Sequence, residues 1–366
     1  MRGISPHELG ATFIRHFTNE KLDRASAEVI NVYLKLDIAK VWGDASSVAA
    51  DGTMVETLLD NLLAERHIRY GGYGGIAYHH VADDYIALFS HFIPCGVWEA
   101  VYIIEGLLKQ QSEAEPDTIH ADTQGQSYPV HALSHLFGFE LLTRIRNWKD
   151  RTFYRGERER VYRHIDALFG EPAENVIDWE LIATYWQDLM RIALSIRDGR
   201  LSSILLLRRL SSESRRNNVY RAFRELGRAI CTITLLRLIS EPELRAEIDA
   251  ATNKVESYNQ FSDWLAFGSE QLERNDPEQL EKLTKAGTLL ANCVILHIAL
   301  DMTDVVRDLQ TAGHPVIPDD LATMSPYITE RVKRFGEYPL DGLNTPPKSF
   351  DPHLHLLAAQ RAQRAA

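Results

Sequence analysis

The sequence predicts an α/β fold: a mixed five-stranded sheet with a large α-helical insertion and flanking helices, predominantly helical overall. Three observations carry this expectation. Between residues 46 and 146, apolar residues alternate or cluster in short runs bounded by Gly and Asp, as strands do. Outside that window they recur at three- and four-residue steps, the spacing of amphipathic helices. The order of signals within the window is three strands, helix, strand, helix, strand.

Residues 1–45 form a helical lead-in, with periodic apolar positions through 11–15, 27–33 and 36–42. Residues 46–51 read as the first strand, Gly71-Gly-Tyr-Gly-Gly75 interrupts regular structure, and 76–81 and 85–93 form two further strands turned by Ala82-Asp-Asp84. Residues 97–109 have helical periodicity, 118–122 is a short strand, 128–137 is helical and 139–145 is the fifth strand. Antiparallel pairing of strands one to three, with right-handed crossovers returning strands four and five parallel to strand one, is what a ribonuclease-H-like core requires. Strand four then lies beside strand one, and residues 46–146 make up the first part of that core. Helices over 178–197, stopped by Gly199, and over 219–238 build the insertion at 147–240. Further helices within 241–272 and 276–311 complete the core through residue 337, and the Pro-rich segment after Tyr338 ends the compact part, leaving 338–366 as a tail.

The 366 residues, 45% hydrophobic and 25% charged, suffice for a sizeable core in one large or two smaller domains. No run of about 18 apolar residues and no basic start leading into an apolar stretch is evident, so the expectation is a cytoplasmic protein with no membrane partner. Cys95, Cys231 and Cys293 are odd in number and far apart, which points to buried small hydrophobes rather than disulfides or thiolate metal sites. Net charge is −11, against phosphate binding if taken alone. Its distribution says otherwise: residues 144–164 and 203–228 each carry five net positive charges, leaving −21 on the rest. Such segregation suits DNA contact along one surface and suits solvated helix faces equally. Arg144 and Arg146 in the first stretch, and Arg221, Arg224 and Arg228 on one face of a helix in the second, are the candidate phosphate contacts.

Asp51 follows a run of small residues in the first strand and Asp122 ends the fourth, so the predicted sheet brings both carboxylates out side by side. Two ionised carboxylates about 4 Å apart repel by about 4 kcal/mol at an effective dielectric of 20. A divalent cation resolves that repulsion, and hard oxygen donors select Mg2+ or Mn2+, two of which can serve phosphodiester displacement. A helix crossing the sheet should supply the third ligand. In residues 253–265, Val255, Tyr258, Ser262 and Leu265 form a largely apolar stripe while Glu256, Gln260 and Asp263 share another face. The ordinary alternatives are that Asp51-Gly52 is a turn pair and that strand-end aspartates arise by chance among 51 acidic residues.

Other motifs are weaker. His131-Ala-Leu-Ser-His135 lacks the Glu of the zinc-hydrolase pattern, and the Gly71–Gly75 run lacks the Lys-Ser/Thr of a phosphate loop. Of His79 and His80 on the second strand, one should face the site side; His80 is a candidate phosphate contact, with a packed strand histidine as the alternative.

Trp42-Gly-Asp-Ala-Ser-Ser-Val-Ala-Ala-Asp51-Gly52, Ala121-Asp-Thr-Gln-Gly-Gln-Ser127 with Leu136-Phe-Gly-Phe139, Asp178-Trp-Glu-Leu-Ile182, Leu226-Gly-Arg-Ala-Ile230 and Asn253-Lys-Val-Glu256 resemble, in this order, motifs of transposases of the Tn3 family. The resemblance covers nearly the whole chain. It implies that Asp51, Asp122 and Glu256 are the acidic catalytic and metal-binding triad and that the intervening helices are the family's insertion. It further implies that the activity is magnesium-dependent cleavage of transposon 3′ ends with strand transfer into target DNA, and that the partners are DNA and a second copy of the chain. A metal-dependent nuclease of the same fold and a truncated, inactive DNA-binding remnant are the alternatives. The sequence departs from the family in length, resembling only its carboxy-terminal part, in Thr143-Arg144 where Pro-Arg is common, and in the short Phe267-Gly-Ser-Glu-Gln271 stretch after Glu256.

Overall fold

The strand expected to stop at Asp51 runs on for six more residues, as β1 (Ser47–Thr57). Asp51-Gly52 is therefore strand interior and not a turn. Gly52 is required by close packing: a Cβ there would lie 2.4 Å from Ile76 Cγ2 and 3.2 Å from Tyr78 Cδ2. In the computed structural model the described residues are 5–57, 65–66, 73–94, 99–171, 174–211, 217–265, 271–272, 276–330, 332–333 and 350–354. Arg69 to Gly72, Cys95, Arg215, Arg216 and residues 266–270 thus lie outside the described residues.

Three helices lead in, α1 (Pro6–His16), α2 (Asn19–Tyr33) and α3 (Asp37–Trp42). The first opens on a complete capping box between Ser5 and Glu8. After β1 come the two-residue β2 (Glu65–Arg66), then β3 (Tyr73–Ala82) and β4 (Ala87–Pro94). β3 pairs antiparallel with β1 and with β4. A 3-10 turn and α4 (Ile103–Lys109) cross over to β5 (Thr118–Ala121), and α5 (Tyr128–Phe137) crosses to β6 (Glu140–Thr143). β5 lies parallel to β1 and β6 parallel to β5. The long path is β4-β3-β1-β5-β6, with β2 and the two-residue β7 (Gln271–Leu272) appended, which makes the described sheet seven-stranded where the sequence predicted five.

The insertion contains α6 (Trp179–Arg197), α7 (Ser203–Ser211), which the sequence pattern did not reveal, and α8 (Asn218–Ser240). Gly227 seats α8 on α5, since a Cβ there would clash at 1.9 Å with the Tyr128 carbonyl oxygen. α9 (Pro242–Leu265) then crosses β1, β3 and β5, while α10 (Pro277–Thr311) and α11 (Pro318–Ala322) follow. An edge strand needs its open backbone groups satisfied or covered. On β4, Asn292 of α10 bonds both the amide and the carbonyl of Ala87, and Glu281 accepts from the amide of Phe92 at 2.6 Å.

Three expectations are corrected here. α10 is long and apolar enough to cross a membrane by length and composition, although the sequence reading found no such run. It serves instead as a core helix, with buried Lys282, Lys285 and Asn292 and contacts to α2, α9 and β4, and buried cations fit a protein interior only where partners such as Asp23 meet them. The segment after Tyr338 does not end the packed structure: Leu354 is buried, its amide donates to the Asp37 carboxylate at 3.0 Å, and the Pro352 carbonyl accepts from the Asp37 amide. Cys293 is exposed, because it falls on the outer face of α10, and only Cys231 of the two described cysteines is buried.

Candidate active site

Side chains alternate along a strand, so register decides which residues share a face. Asp51 is opposite His79, and Ala50 opposite both His80 and, on the other side, Ala121. The next residues along the two parallel strands are Asp51 and Asp122. They therefore stand in line on adjacent central strands, both half-buried. The Tyr78 hydroxyl is pushed well above its ordinary pKa, first by burial and then by the carboxylates of Glu99, Asp122 and Asp51. Glu99, buried at 8% exposure, was not foreseen; its carboxylate lies on the Gly52 side of the sheet, 3.1 Å from where a Gly52 Cβ would be. Sequence offered no signal for it beyond an acidic residue in an apolar stretch.

α9 covers the Asp51 face. Its buried residues include Val255, Tyr258 and Leu265 of the expected stripe, together with Asn259. Asn259 was also missed, and the available signal was a polar residue set next to that stripe. Its Nδ2 donates to Asp51 Oδ2 at 3.5 Å, and its Oδ1 lies 2.9 Å from His79 Nδ1. Thr53, two residues beyond Asp51 on the same face, donates to Asp263 at 3.2 Å. Glu256 sits one turn before Asn259, exposed, between Asp249 and Asp263 along the helix. Among the described residues no three of His, Cys, Asp and Glu stand close enough to hold a metal. The structure thus puts Asp51 and Asp122 in line on adjacent strands and does not gather them with Glu256 into such a group. Repulsion of about 4 kcal/mol per close carboxylate pair opposes such gathering.

His80 requires correction. It is fully buried on the opposite face, where its Nε2 lies 2.8 Å from the Ile103 carbonyl oxygen, so it cannot reach a phosphate. Burial lowers its pKa to about 4, as it does for His79, His120 and His131. The alternation rule was right that one of the adjacent pair faces the acidic residues; that one is His79.

The basic stretches are partly consumed by folding. Arg155 is fully buried and organises residues 155–170, bonding the Asp166 carboxylate at 2.6 Å and the carbonyls of Arg160 and Gly170. Arg228 pairs with Glu225 and lies over the Tyr154 ring at 4.8 Å, and Arg144 pairs with Asp249 at 3.0 Å. Arg208 donates to the Tyr102 hydroxyl. Arg146 and Arg221 are exposed and Arg224 is half-buried. Part of the positive charge of both stretches is therefore met by partners within the fold, which counting charge cannot see.

Sheet and site together define a mixed α/β domain that presents two aspartates from adjacent central strands beneath a long crossing helix. Residues 1–338 match the family described as the Tn3 transposase DDE domain. The chain belongs to that family. It is 29% identical over 322 residues to the transposase for transposon Tn1546 of Enterococcus faecium, covering 87% of this chain and 32% of that protein. It is 27% identical to the transposase for transposon Tn501 of Pseudomonas aeruginosa (88% and 33%) and 26% identical to that for transposon gamma-delta of Escherichia coli strain K12 (92% and 33%). The chain spans about one third of the length of these relatives.

Proposed function

We propose that this chain is the DNA-cleaving and DNA-joining part of a transposase, built on a ribonuclease-H-like core with Asp51, Asp122 and Glu256 as its acidic triad. The observation that carries the reading is the parallel register of β1 and β5, with Ala50 opposite Ala121 and the two aspartates next in line. The strand path β4-β3-β1-β5-β6 supports the core assignment.

The donor set fits a hard divalent cation, since two half-buried carboxylates on adjacent strands offer only oxygen ligands. Asp51 and Asp122, joined by Glu256, would hold Mg2+ or Mn2+, two ions in the full site, which supply a lowered water pKa and charge neutralisation when bound. The protein's own contribution is positional. Asn259 donates to Asp51 from one side, and Glu256 on the same helix would complete the site when the cation is bound. In the first step water attacks the phosphorus at a transposon end, leaving a 3′-hydroxyl and a 5′-phosphate. In the second, that hydroxyl attacks a target phosphodiester and displaces the target's own 3′-oxygen, so one P–O bond forms as one breaks and no protein–DNA covalent intermediate is needed. Arg144, Arg146, Arg221 and Arg224 contact phosphates. Two ends are handled together, which calls for a homodimer acting at the bacterial nucleoid in the cytoplasm.

The test is nicking of supercoiled plasmid by the 366-residue chain with Mg2+ or Mn2+. The wild type should nick and Asp51→Ala and Asp122→Ala should not, while all three bind DNA alike. Equal nicking by the variants, or none by the wild type, contradicts the reading.

A further inference from the structure

Beside the acidic pair, on the α9 side of the sheet, lies an open groove of about 490 Å³ where the insertion returns to the core. Its position is fixed by the sheet. The Arg144 amide donates to the Ala121 carbonyl at 2.9 Å, continuing the ladder by one step, so Arg144 stands next to Asp122 as Asp122 stands next to Asp51. The floor is apolar: Leu238 at the end of α8 and Ile248 of α9 belong to a small buried cluster with Leu142 and Leu244. One wall is the indole of Trp148, 38% exposed. Arg146 and Arg245, both exposed, stand on the rim, and Asp249, paired with Arg144, brings a carboxylate to the same opening.

Resting on the reading of this chain as a DNA-cleaving domain, we infer that the groove takes an unpaired nucleotide of the DNA strand beside the scissile phosphate. Its base stacks on Trp148 and its phosphates lie against Arg146 and Arg245. The rim alone would suit any phosphate backbone, duplex included. The floor would not, because a duplex turns its phosphates and sugars outward and keeps its flat apolar faces stacked inside. A base taken out of the stack can lay its flat face on the indole and the apolar floor while the arginines meet its phosphates, and aromatic stacking of this kind is indifferent to base identity. The size is that of an ordinary small-ligand pocket. The arginines set the salt dependence of binding, the indole its preference for unpaired ends.

The probe is a duplex with a single-stranded overhang that carries 2-aminopurine, compared with a blunt duplex carrying it internally, both in EDTA so that no cleavage occurs. The wild-type chain should quench the overhang fluorescence and leave the internal label unchanged. Trp148→Ala should remove the quenching and weaken overhang binding between about fivefold and about a hundredfold, the effect of one lost base stack, with blunt-duplex affinity unchanged. Trp148→Phe should restore most of it, and Arg146→Glu with Arg245→Glu should weaken the overhang complex more steeply as salt falls. If Trp148→Ala binds and quenches as the wild type does, the groove does not hold a base, while blunt-duplex binding and metal-dependent nicking would still stand for the DNA-cleaving reading. If the wild type binds neither DNA, both inferences fall together.

Discussion

Asn259 shows how a single amide can decide the geometry of a carboxylate. Ionised Asp51 accepts only, and the Asn259 Nδ2 donor fixes one of its oxygens while Oδ1 is committed to His79. Replacing it by Ala strands a buried imidazole and takes one donor from Asp51, at a cost of about 1–3 kcal/mol in stability for the unsatisfied group. We expect Asn259→Ala to lower the nicking rate by more than it lowers DNA affinity, and Asn259→Gln, which keeps both functions but overfills the site, to recover less than half the loss. A stopped nicking assay beside a binding titration reads both; equal rates for Asn259→Ala and wild type would remove Asn259 from the site. At this scale the sequence was informative where a residue's role follows from its strand position, as with Asp51 and Asp122. It was silent where the role depends on register. His79 and His80 differ by one residue and face opposite sides, and only pairing with β1 and β4 shows which is which.

Helices were legible in proportion to their length. α6, α8, α9 and α10 each run long enough for apolar periodicity to define them, and the expected bounds fall close to those observed except in α9, expected as far as residue 272 but ending at Leu265, with Gln271–Leu272 a strand. α7, at nine residues with Leu at three consecutive positions, is too short for its period to repeat often enough to stand out. The arginines of α8 divide by the partners they meet, in a way that charge counting could not show. Arg221 and Arg224 are available to DNA, whereas Arg228 is held by Glu225 and the Tyr154 and Tyr128 rings. Arg221→Glu with Arg224→Glu should therefore weaken DNA binding and reduce the slope of log affinity against log salt by about 2, with the melting temperature unchanged. Arg228→Ala should instead destabilise the fold by about 1–2 kcal/mol through loss of its aromatic and ionic contacts. Salt titrations and thermal melts separate the two classes, and an unchanged slope in the double variant would return Arg221 and Arg224 to mere solvation.

Across the whole molecule, four buried histidines make stability depend on pH. His79, His80, His120 and His131 have pKa values lowered to about 4 by burial, against an ordinary value of 6.5. Between these values the unfolded chain binds more protons than the folded one, so stability rises with pH from about 4 to 6.5 and is lost as pH falls through that window. Asp84 acts in the opposite sense, its pKa raised by burial to about 8, so the folded state is weakened as pH climbs from 4 towards 8. The melting temperature should peak near pH 6.5 with the steeper limb on the acid side, and His131→Phe should shallow that limb; a flat profile from pH 4.5 to 6.5 contradicts the neutral-histidine assignment.

The order of strands and helices was readable because their signals alternate as the sheet requires, while the packed residues 350–354 were not, since five residues carry no period. The proposal that ties these levels together is that Asp51, Asp122 and Glu256 act as one cation site on a pre-built sheet. Thermal melts of the wild type and of Asp51→Ala, Asp122→Ala and Glu256→Ala, each with and without Mg2+, test this directly, because a ion that binds only the folded state must raise its stability. The wild-type melting temperature should rise with Mg2+, and each variant should lose that increment while melting no lower than wild type in EDTA. A magnesium increment that survives in all three variants would contradict the account.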